Sequence, residues 1–220
     1  MGDVDYSPQD KAHPPKPRSP YGVSKVASRF LVKVYRESYG LFAVHGILFN
    51  HEGLRRGEEF VTRKITKAVA NIKMAIDQGE EFEPLQLGNV GAKRDWSDSE
   101  DFMAGIWLML NQNEPKEYIL SSNETHTVKE FVSLAFQEAG IAGLWSGEGL
   151  DEKFRIYQEN KILAEINEEF YRPAEVSILH GDSNPIREEL GWNPQFSFQD
   201  LVKRMVNNDL EIQKKRTFSP

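Results

Sequence analysis

Apolar positions along the chain follow a helical period in some stretches and form short continuous runs in others. Between residues 20 and 39 apolar residues recur every three or four positions, with Ser19 before the stretch and Gly40 after it as typical capping residues. Residues 41–50 (LFAVHGILFN) are apolar almost throughout, which indicates a strand buried on both faces, as in a parallel sheet. Such a strand needs neighbours on both sides, and no strand is predicted before it. The pattern therefore predicts part of a larger sheet.

Helices and strands continue to alternate further along the chain. Helices are predicted over residues 60–78, 99–110, 127–139 and from 197 onward. The last two begin with capping boxes, Thr127 with Glu130 and Ser197 with Asp200. Short strands are predicted at 83–89 and 117–121, whereas residues 1–18 are expected to form a loop and 143–170 give no clear pattern. The alternation predicts an α/β fold with a mainly parallel sheet.

The composition excludes several classes of protein. The 220 residues are 39% hydrophobic and carry a net charge of −7, so we expect no nonspecific binding to nucleic acid or to a membrane surface. No apolar run approaches the ~20 residues of a membrane-spanning helix. The chain has no cysteine and its five histidines lack metal-ligand spacing, so no metal site is predicted. We expect a cytoplasmic protein.

The segment RSPYGVSKVASRF, residues 18–30, contains a candidate catalytic pair. Tyr21 and Lys25 are one helical turn apart and lie on one face of the predicted helix. Tyr157 and Lys161 have the same spacing, so spacing alone does not separate a catalytic pair from two surface residues. Context favours the first pair, because Tyr21 lies at a capped helix start that leads into the apolar strand, and α/β folds place ligands at the ends of such elements. A tyrosine that acts as a base near neutral pH also needs a nearby cation, which Lys25 supplies.

Several segments resemble a known family. SPYGVSK resembles the active-site helix of the short-chain dehydrogenase/reductases. The resemblance to the extended, nucleotide-sugar-modifying branch, and within it to the GDP-mannose 4,6-dehydratases, rests on LFNHEGLRRGEEFVTRKIT (48–66), LGNVGAKRDWSDSEDF (87–102), YRPAEV (171–176) and GDSNPIREELGWNP (181–194). It covers nearly the whole chain from Arg18 onward.

The resemblance implies an incomplete Rossmann-like parallel sheet plus a smaller α/β substrate-binding domain. Residues 1–58 would be the remnant of the NADP-binding Rossmann domain. Residues 59–220 would be mainly the nucleotide-sugar-binding domain, with some segments returning to the Rossmann sheet. The complete enzyme would be a homo-oligomer.

The resemblance also implies a reaction and a set of site residues. Tyr21 would take the proton of the sugar 4-hydroxyl while a hydride passes from C4 to NADP, and Lys25 would hold the nicotinamide ribose and assist ionisation of the tyrosine. Loss of water across C5 and C6 and return of the hydride to C6 would convert GDP-mannose to GDP-4-dehydro-6-deoxy-mannose. The implied cofactor contacts are Tyr21, Lys25, His51 and Arg56. The implied substrate contacts are Asn50, Val61, Lys64, Arg94, Arg172 and Glu175.

Some of these residues have plain structural alternatives. Basic residues in a loop are usually solvated, and Arg94 has an ion pair with Asp95 or Asp98 as its structural alternative. Where the family shows Gly-His after the RDW residues, this chain has Ser97 and Asp98, which adds a carboxylate near the predicted diphosphate contact.

The chain lacks one motif of the family. Its 16 glycines include no G-x-G-x-x-G. In the family a Thr and a Glu upstream of the Tyr assist proton transfer and elimination, and the chain, which begins at MGDV, is expected to open just after those residues. We therefore expect the resemblance to cover roughly the C-terminal three-fifths of the enzyme, and the isolated chain to be inactive. Two functions remain open: a dehydratase of which this chain is the C-terminal part, and a non-catalytic nucleotide-sugar-binding or interaction module.

Overall fold

The computed structural model describes residues 2–170, 176 and 178–217. The helices are α1 (Pro20–Tyr39), α2 (Val61–Gln78), α3 (Ser99–Leu110), α4 (Val128–Glu138), α5 (Asn184–Leu190) and α6 (Phe198–Thr217). The strands are β1 (His45–Leu48), β2 (Asn50–Glu52), β3 (Leu85–Leu87), β4 (Lys93–Arg94), β5 (Trp96–Asp98), β6 (Glu117–Leu120), β7 (His126–Thr127), β8 (Gly143–Ser146), β9 (Lys153–Ile156), β10 (Ile162–Ile166) and β11 (Ile178–Leu179). Among the described residues, no helix combines the length and apolarity needed to cross a bilayer.

The chain divides into two compact units. Unit one comprises the described residues of Met1–His51, Lys93–His126 and Val176–Phe196. Unit two comprises the described residues of Glu52–Ala92, Thr127–Glu175 and Ser197–Pro220. Each unit is therefore built from three separate stretches of sequence.

The predicted helix limits are confirmed, because the capping residues act as their types suggest. The Ser19 hydroxyl accepts a hydrogen bond of 3.0 Å from the Gly22 amide at the start of α1, and Gly40 ends that helix in the left-handed conformation, with φ of 64°. The capping box of α4 is complete: the Thr127 hydroxyl accepts from the Glu130 amide at 3.0 Å, and the Glu130 carboxylate accepts from the Thr127 amide at 2.6 Å.

Unit one contains a parallel strand pair and a small apolar core. Strands β1 and β6 pair in parallel, with His45 opposite Glu117. The Arg29 side chain of α1 forms an ion pair with Glu117, with an Nη2–Oε1 distance of 2.6 Å. The buried core of this unit consists of Phe102, Met109, Tyr118, Leu120, Ile186 and Trp192. None of the side chains of α1 is buried.

The apolar run at 41–50 differs from the prediction. Within the run, β1 covers only residues 45–48, and its four residues are half-buried rather than buried on both faces. Leu41 and Phe42 are 51% and 49% exposed. Burial on both faces requires neighbouring strands on both edges and a layer on each face, and among the described residues β1 pairs with β6 alone.

Unit two contains three strands, β8, β9 and β10, that the sequence pattern did not predict. Strands β8, β9 and β10 are antiparallel neighbours, and β3 adds to β10 in parallel, giving the order β3-β10-β9-β8. Helices α2, α4 and α6 pack together around a core that includes Ile65, Val69, Phe131, Val132, Leu201 and Met205. The predicted α/β class is confirmed, although this sheet is mixed rather than mainly parallel.

A buried ion pair joins two helices of unit two. Arg63 on α2 lies 2.8 Å from Asp209 on α6, measured from Nη2 to Oδ1, and both side chains are almost fully buried. The Thr66 hydroxyl donates to the other carboxylate oxygen of Asp209 at 2.6 Å. Asp209 thereby accepts from both partners, and removing it would leave a buried guanidinium without its counter-charge.

We expect Asp209→Ala to lower the free energy of unfolding by about 3–5 kcal/mol, because it leaves the buried Arg63 guanidinium without its counter-charge. The matched control is Asp77→Ala, since Asp77 is half-exposed and pairs with Lys73 on the same α2 helix. Loss of that surface pair should cost only about 0.3–0.5 kcal/mol. Urea unfolding followed by circular dichroism measures both, and equal losses in the two variants would contradict the structural role given to Asp209.

Candidate active site

The first candidate residues lie at the start of α1, in unit one. Tyr21 is the second residue of the helix and is 71% exposed. The Lys25 ammonium lies over its ring, 5.2 Å from the ring centroid. The predicted shared helix face is therefore confirmed, and the phenol is open to a ligand.

Tyr157 and Lys161 show how the same spacing behaves outside a helix. They flank the turn between β9 and β10, in which Gln158 and Asn160 have φ of 80° and 57°. The Lys161 ammonium is instead 3.1 Å from the Glu81 carboxylate. This pair therefore lacks the arrangement seen at the start of α1.

Asn50 and His51 lie on the short strand β2, directly after β1. The His51 Nδ1 atom is 3.0 Å from the Phe49 carbonyl oxygen. A carbonyl only accepts, so Nδ1 carries the hydrogen in this contact and Nε2 remains as an acceptor when the ring is neutral. The His51 ring also packs against Phe102, with 5.4 Å between ring centroids.

Arg94 lies on β4 and has a fixed orientation. Its Nη1 donates to the Val176 carbonyl at 2.8 Å and to the carbonyl of the preceding Lys93 at 2.9 Å. These contacts hold the guanidinium at the edge of the β4–β11 strand pair.

The ion pair between Arg94 and Asp95 that was one structural alternative is not formed. Asp95 is fully buried, and its carboxylate accepts hydrogen bonds from the Ser122 amide and hydroxyl at 2.7 and 2.8 Å and from the Gly181 amide at 3.3 Å. Burial raises the pKa of Asp95 above its usual value, and these donors partly oppose the increase. Asp95 therefore links two stretches of unit one, Lys93–His126 and Val176–Phe196, through Ser122 and Gly181.

The departure from the family at Ser97 and Asp98 has a structural consequence. The Asp98 carboxylate accepts from the Glu100 amide at 2.9 Å and acts as the N-cap of α3. The extra carboxylate is thus used in starting a helix, and both Ser97 and Asp98 are buried.

In unit two, a closed set of contacts surrounds the start of α2. The Arg56 Nε atom is 3.0 Å from Glu52 Oε2, and the Arg56 guanidinium stacks 3.5 Å from the centroid of the Phe60 ring. Phe60 is the N-cap of α2 but offers no side-chain hydrogen bond. The Thr62 hydroxyl in the first turn returns to Glu52 Oε2 at 2.6 Å. Glu52 therefore ties the end of β2 to both the loop and the helix.

The first turn of α2 also carries two predicted substrate contacts. Val61 is 37% exposed, and Lys64 is half-buried. Burial lowers the pKa of the Lys64 ammonium below its usual value. Arg172 and Glu175, the other two predicted substrate contacts in this part of the chain, lie outside the described residues.

Sequence reasoning missed the polar residues that hold these side chains in place. Glu52 follows Asn50 and His51 directly, and a carboxylate next to predicted ligand contacts was the available signal. Asp209 gave no signal, because its partner Arg63 is distant in sequence. Within the described part of the chain, no three acidic or histidine side chains are grouped as a metal site.

The chain is similar to known proteins over almost its full length. A family model described as GDP-mannose 4,6 dehydratase matches residues 1–205. GDP-mannose 4,6 dehydratase of Cricetulus griseus is 41% identical over 213 residues, which cover 97% of this chain and 56% of the relative. The protein of the same name from Dictyostelium discoideum is 44% identical, over 97% of this chain and 58% of its own length. The chain thus spans little more than half the length of these relatives.

Solved structures share the fold at lower identity. RMD from Pseudomonas aeruginosa, complexed with NADPH, matches 96% of this chain and 63% of its own chain with a TM-score of 0.78 and 21% identity. DesIV from Streptomyces venezuelae, a dTDP-glucose 4,6-dehydratase with NAD and TYD bound, matches 97% of this chain and 58% of its own with a TM-score of 0.73 and 21% identity. The fold is therefore that of the extended dehydratases and epimerases.

A pH-dependent stability follows from Glu52. Burial raises its pKa above the ordinary value of 4.5, so the folded chain holds this proton more tightly than the unfolded chain. As the pH rises through and above that value, the wild type should lose stability relative to Glu52→Gln, which cannot ionise.

The control has the opposite sign. The pKa of Glu58 is lowered by its hydrogen bond from Lys67, so its stabilising effect is present above 4.5 and is lost as the pH falls. Urea unfolding between about pH 4 and 7 measures the free energy of unfolding of wild type, Glu52→Gln and Glu58→Gln. As the pH rises, the wild type should lose stability relative to Glu52→Gln and gain stability relative to Glu58→Gln. If the difference in free energy of unfolding between Glu52→Gln and wild type stays constant over this pH range, the prediction is contradicted.

Proposed function

The chain belongs to the GDP-mannose 4,6-dehydratase family, and from this premise we propose that it forms the C-terminal part of an enzyme converting GDP-mannose to GDP-4-dehydro-6-deoxy-mannose. The observation that carries the proposal is the family match over residues 1–205, which includes the Tyr21–Lys25 pair on one exposed helix face. The curated relatives share the name of this activity.

The side chains present fit parts of NADP. The planar Arg56 guanidinium is held against Phe60 and paired with Glu52 through Nε, and a guanidinium oriented in this way suits a phosphate, to which its terminal nitrogens would donate. His51 offers Nε2 as an acceptor for a hydroxyl, and the Lys25 ammonium offers donors for the nicotinamide ribose. NADP, when bound, would accept a hydride from the sugar and return it. The NADPH complex of the Pseudomonas protein supports the phosphorylated form of the cofactor.

Tyr21 is proposed as the group that moves the proton. Its phenolate oxygen takes the proton of the sugar 4-hydroxyl, as that carbon becomes a carbonyl carbon, and the Lys25 ammonium stabilises the phenolate beforehand. The acidity of the hydrogen on C5, next to the new carbonyl, then permits loss of water across C5 and C6. Because the hydride taken from C4 is returned to C6, the overall change is the loss of one water molecule with no net oxidation.

The nucleotide and diphosphate would be held by the remaining residues. Arg94 is oriented by the Val176 carbonyl, and a guanidinium donates bidentately to a phosphate. Asn50, Val61 and Lys64 are proposed as further contacts to the sugar nucleotide. Arg172 at the diphosphate and Glu175 at a ribose hydroxyl complete the proposed set.

The wider assignments belong to the same proposal. They are a Rossmann-domain remnant at residues 1–58, a mainly substrate-binding region at 59–220, a homo-oligomeric complete enzyme and a cytoplasmic location. The grouping of Lys93–His126 and Val176–Phe196 with the N-terminal stretch supports the idea of segments that return to the first domain.

We expect the chain to bind GDP and GDP-mannose in preference to UDP-sugars. The reason is that residues 60–66, Arg94 and Arg172 resemble the corresponding positions of the GDP-mannose 4,6-dehydratases, and the hydrogen bond from Thr62 to Glu52 holds the first turn of α2, which carries Val61 and Lys64. Competition between labelled GDP and unlabelled UDP-glucose measures the preference. Equal affinities for the two nucleotides would contradict the proposed substrate class.

We expect Tyr21→Phe to lower turnover by about 10²–10⁴-fold, since it removes the proton acceptor and keeps the ring. The assay uses a fusion that adds the N-terminal portion of the Dictyostelium relative. We propose that the isolated chain is inactive, and it serves as the blank. Lys25→Met should reduce turnover and also weaken cofactor binding.

The matched control is Tyr157→Phe. Tyr157 also precedes a lysine by four residues, but this pair flanks a turn between two strands and does not lie on a helix. Its turnover should stay near that of the unmodified fusion. A Tyr21→Phe fusion that keeps more than about a tenth of the rate would exclude Tyr21 as the base. A fusion that binds GDP-mannose with no turnover would favour the alternative, a non-catalytic nucleotide-sugar-binding module.

A further inference from the structure

Lys64 is held by an aromatic ring rather than by a carboxylate. Its ammonium lies 3.8 Å from the centroid of the Phe170 ring. Among the residues described, no carboxylate forms an ion pair with this ammonium, which makes Lys64 unlike Lys67 and Lys73 of the same helix. A ring face attracts a cation through its quadrupole but occupies only part of the ammonium, so donors remain available.

The position of Phe170 is set by backbone contacts. Phe170 ends a single 3₁₀ turn, Glu168–Phe170, whose preceding Asn167 amide donates to the Leu87 carbonyl at 2.7 Å. The next residue after β3 is Gly88, and a Cβ there would overlap the Phe170 carbonyl oxygen. The turn is therefore seated on the end of β3, which places the ring beneath Lys64.

We propose that Phe170 is a positioning residue for base recognition, which acts by holding the Lys64 ammonium ready to donate to an exocyclic carbonyl oxygen of the nucleobase. This inference rests on the proposed function, in which Lys64 contacts the sugar nucleotide. A lysine only donates, so it matches the carbonyl of guanine and opposes the amino group that adenine carries at the equivalent position. Because the Phe170 ring is neutral, it holds the Lys64 ammonium in place without neutralising its positive charge.

The experiment is calorimetric titration of the chain with GDP and with ADP. Phe170→Leu, which keeps an apolar side chain but removes the π face, should weaken GDP binding by about 3- to 10-fold and narrow the preference for GDP over ADP. Phe170→Tyr retains the π face and should bind GDP within about twofold of wild type. Phe170 is 47% exposed, so neither change opens a buried cavity.

A double-mutant cycle separates positioning from a general structural effect. If Phe170 acts through the ammonium, Lys64→Met should bind GDP no more tightly than Lys64→Met combined with Phe170→Leu. Additive losses would mean that Phe170 acts independently of Lys64 and would overturn the inference.

The chain offers a matched control in the same unit. Lys161 lies 4.4 Å from the centroid of the Phe82 ring, and it is already paired with Glu81. Phe82→Leu should leave GDP binding and the preference over ADP unchanged. Wild-type binding of GDP together with unchanged binding by Phe170→Leu would overturn this inference alone, whereas no GDP binding by the wild type would overturn the proposed function and this inference with it.

Discussion

The need to match two buried carboxylates with donors determines how the start of α2 is held. The helix begins without a side-chain cap, and Glu52 and Asp209 are almost fully buried beside its first turns. Glu52 accepts from Thr62, and Asp209 is paired with Arg63. A buried charge without partners costs several kcal/mol, so alternative positions of the loop, α2 and α6 are strongly disfavoured. The backbone of this turn is therefore fixed, and with it the position from which the Lys64 side chain extends, although Lys64 contacts neither carboxylate.

Local signals predicted the helices well because capping is a short-range interaction. Ser19, Gly40 and Thr127 each act on backbone groups within a few residues, so their effect can be read from adjacent sequence. The strands of residues 143–170 gave no such signal, because each is short and depends on pairing with strands elsewhere in unit two. The prediction that residues 41–50 form a strand buried on both faces was wrong for a related reason, since burial depends on what packs around a strand and not on its composition alone.

The candidate site shows the same division between local and distant causes. Tyr21 and Lys25 share a helix face that spacing predicts once the helix is known. The partners of Asp95 lie at Ser122 and Gly181, far along the chain, so sequence adjacency wrongly suggested Arg94 as its partner. Family resemblance supplied roles for individual residues, and geometry supplied the contacts that orient them. Neither source by itself indicated the aromatic support beneath the ammonium on α2.

The burial pattern of α1 has a consequence for amide hydrogen exchange. This helix carries Tyr21 and Lys25 but buries no side chain, and its ion pair through Arg29 to Glu117 is its clearest attachment to the strand pair. Helices gain most of their stability from packing, so the opening free energy of α1 is expected to fall at the low end for this chain. Its amides should therefore exchange earlier than those of α2. The time-averaged occupancy of the Tyr21–Lys25 geometry is thus governed by the local opening equilibrium of one helix, which a docked ligand or partner would shift toward the closed state.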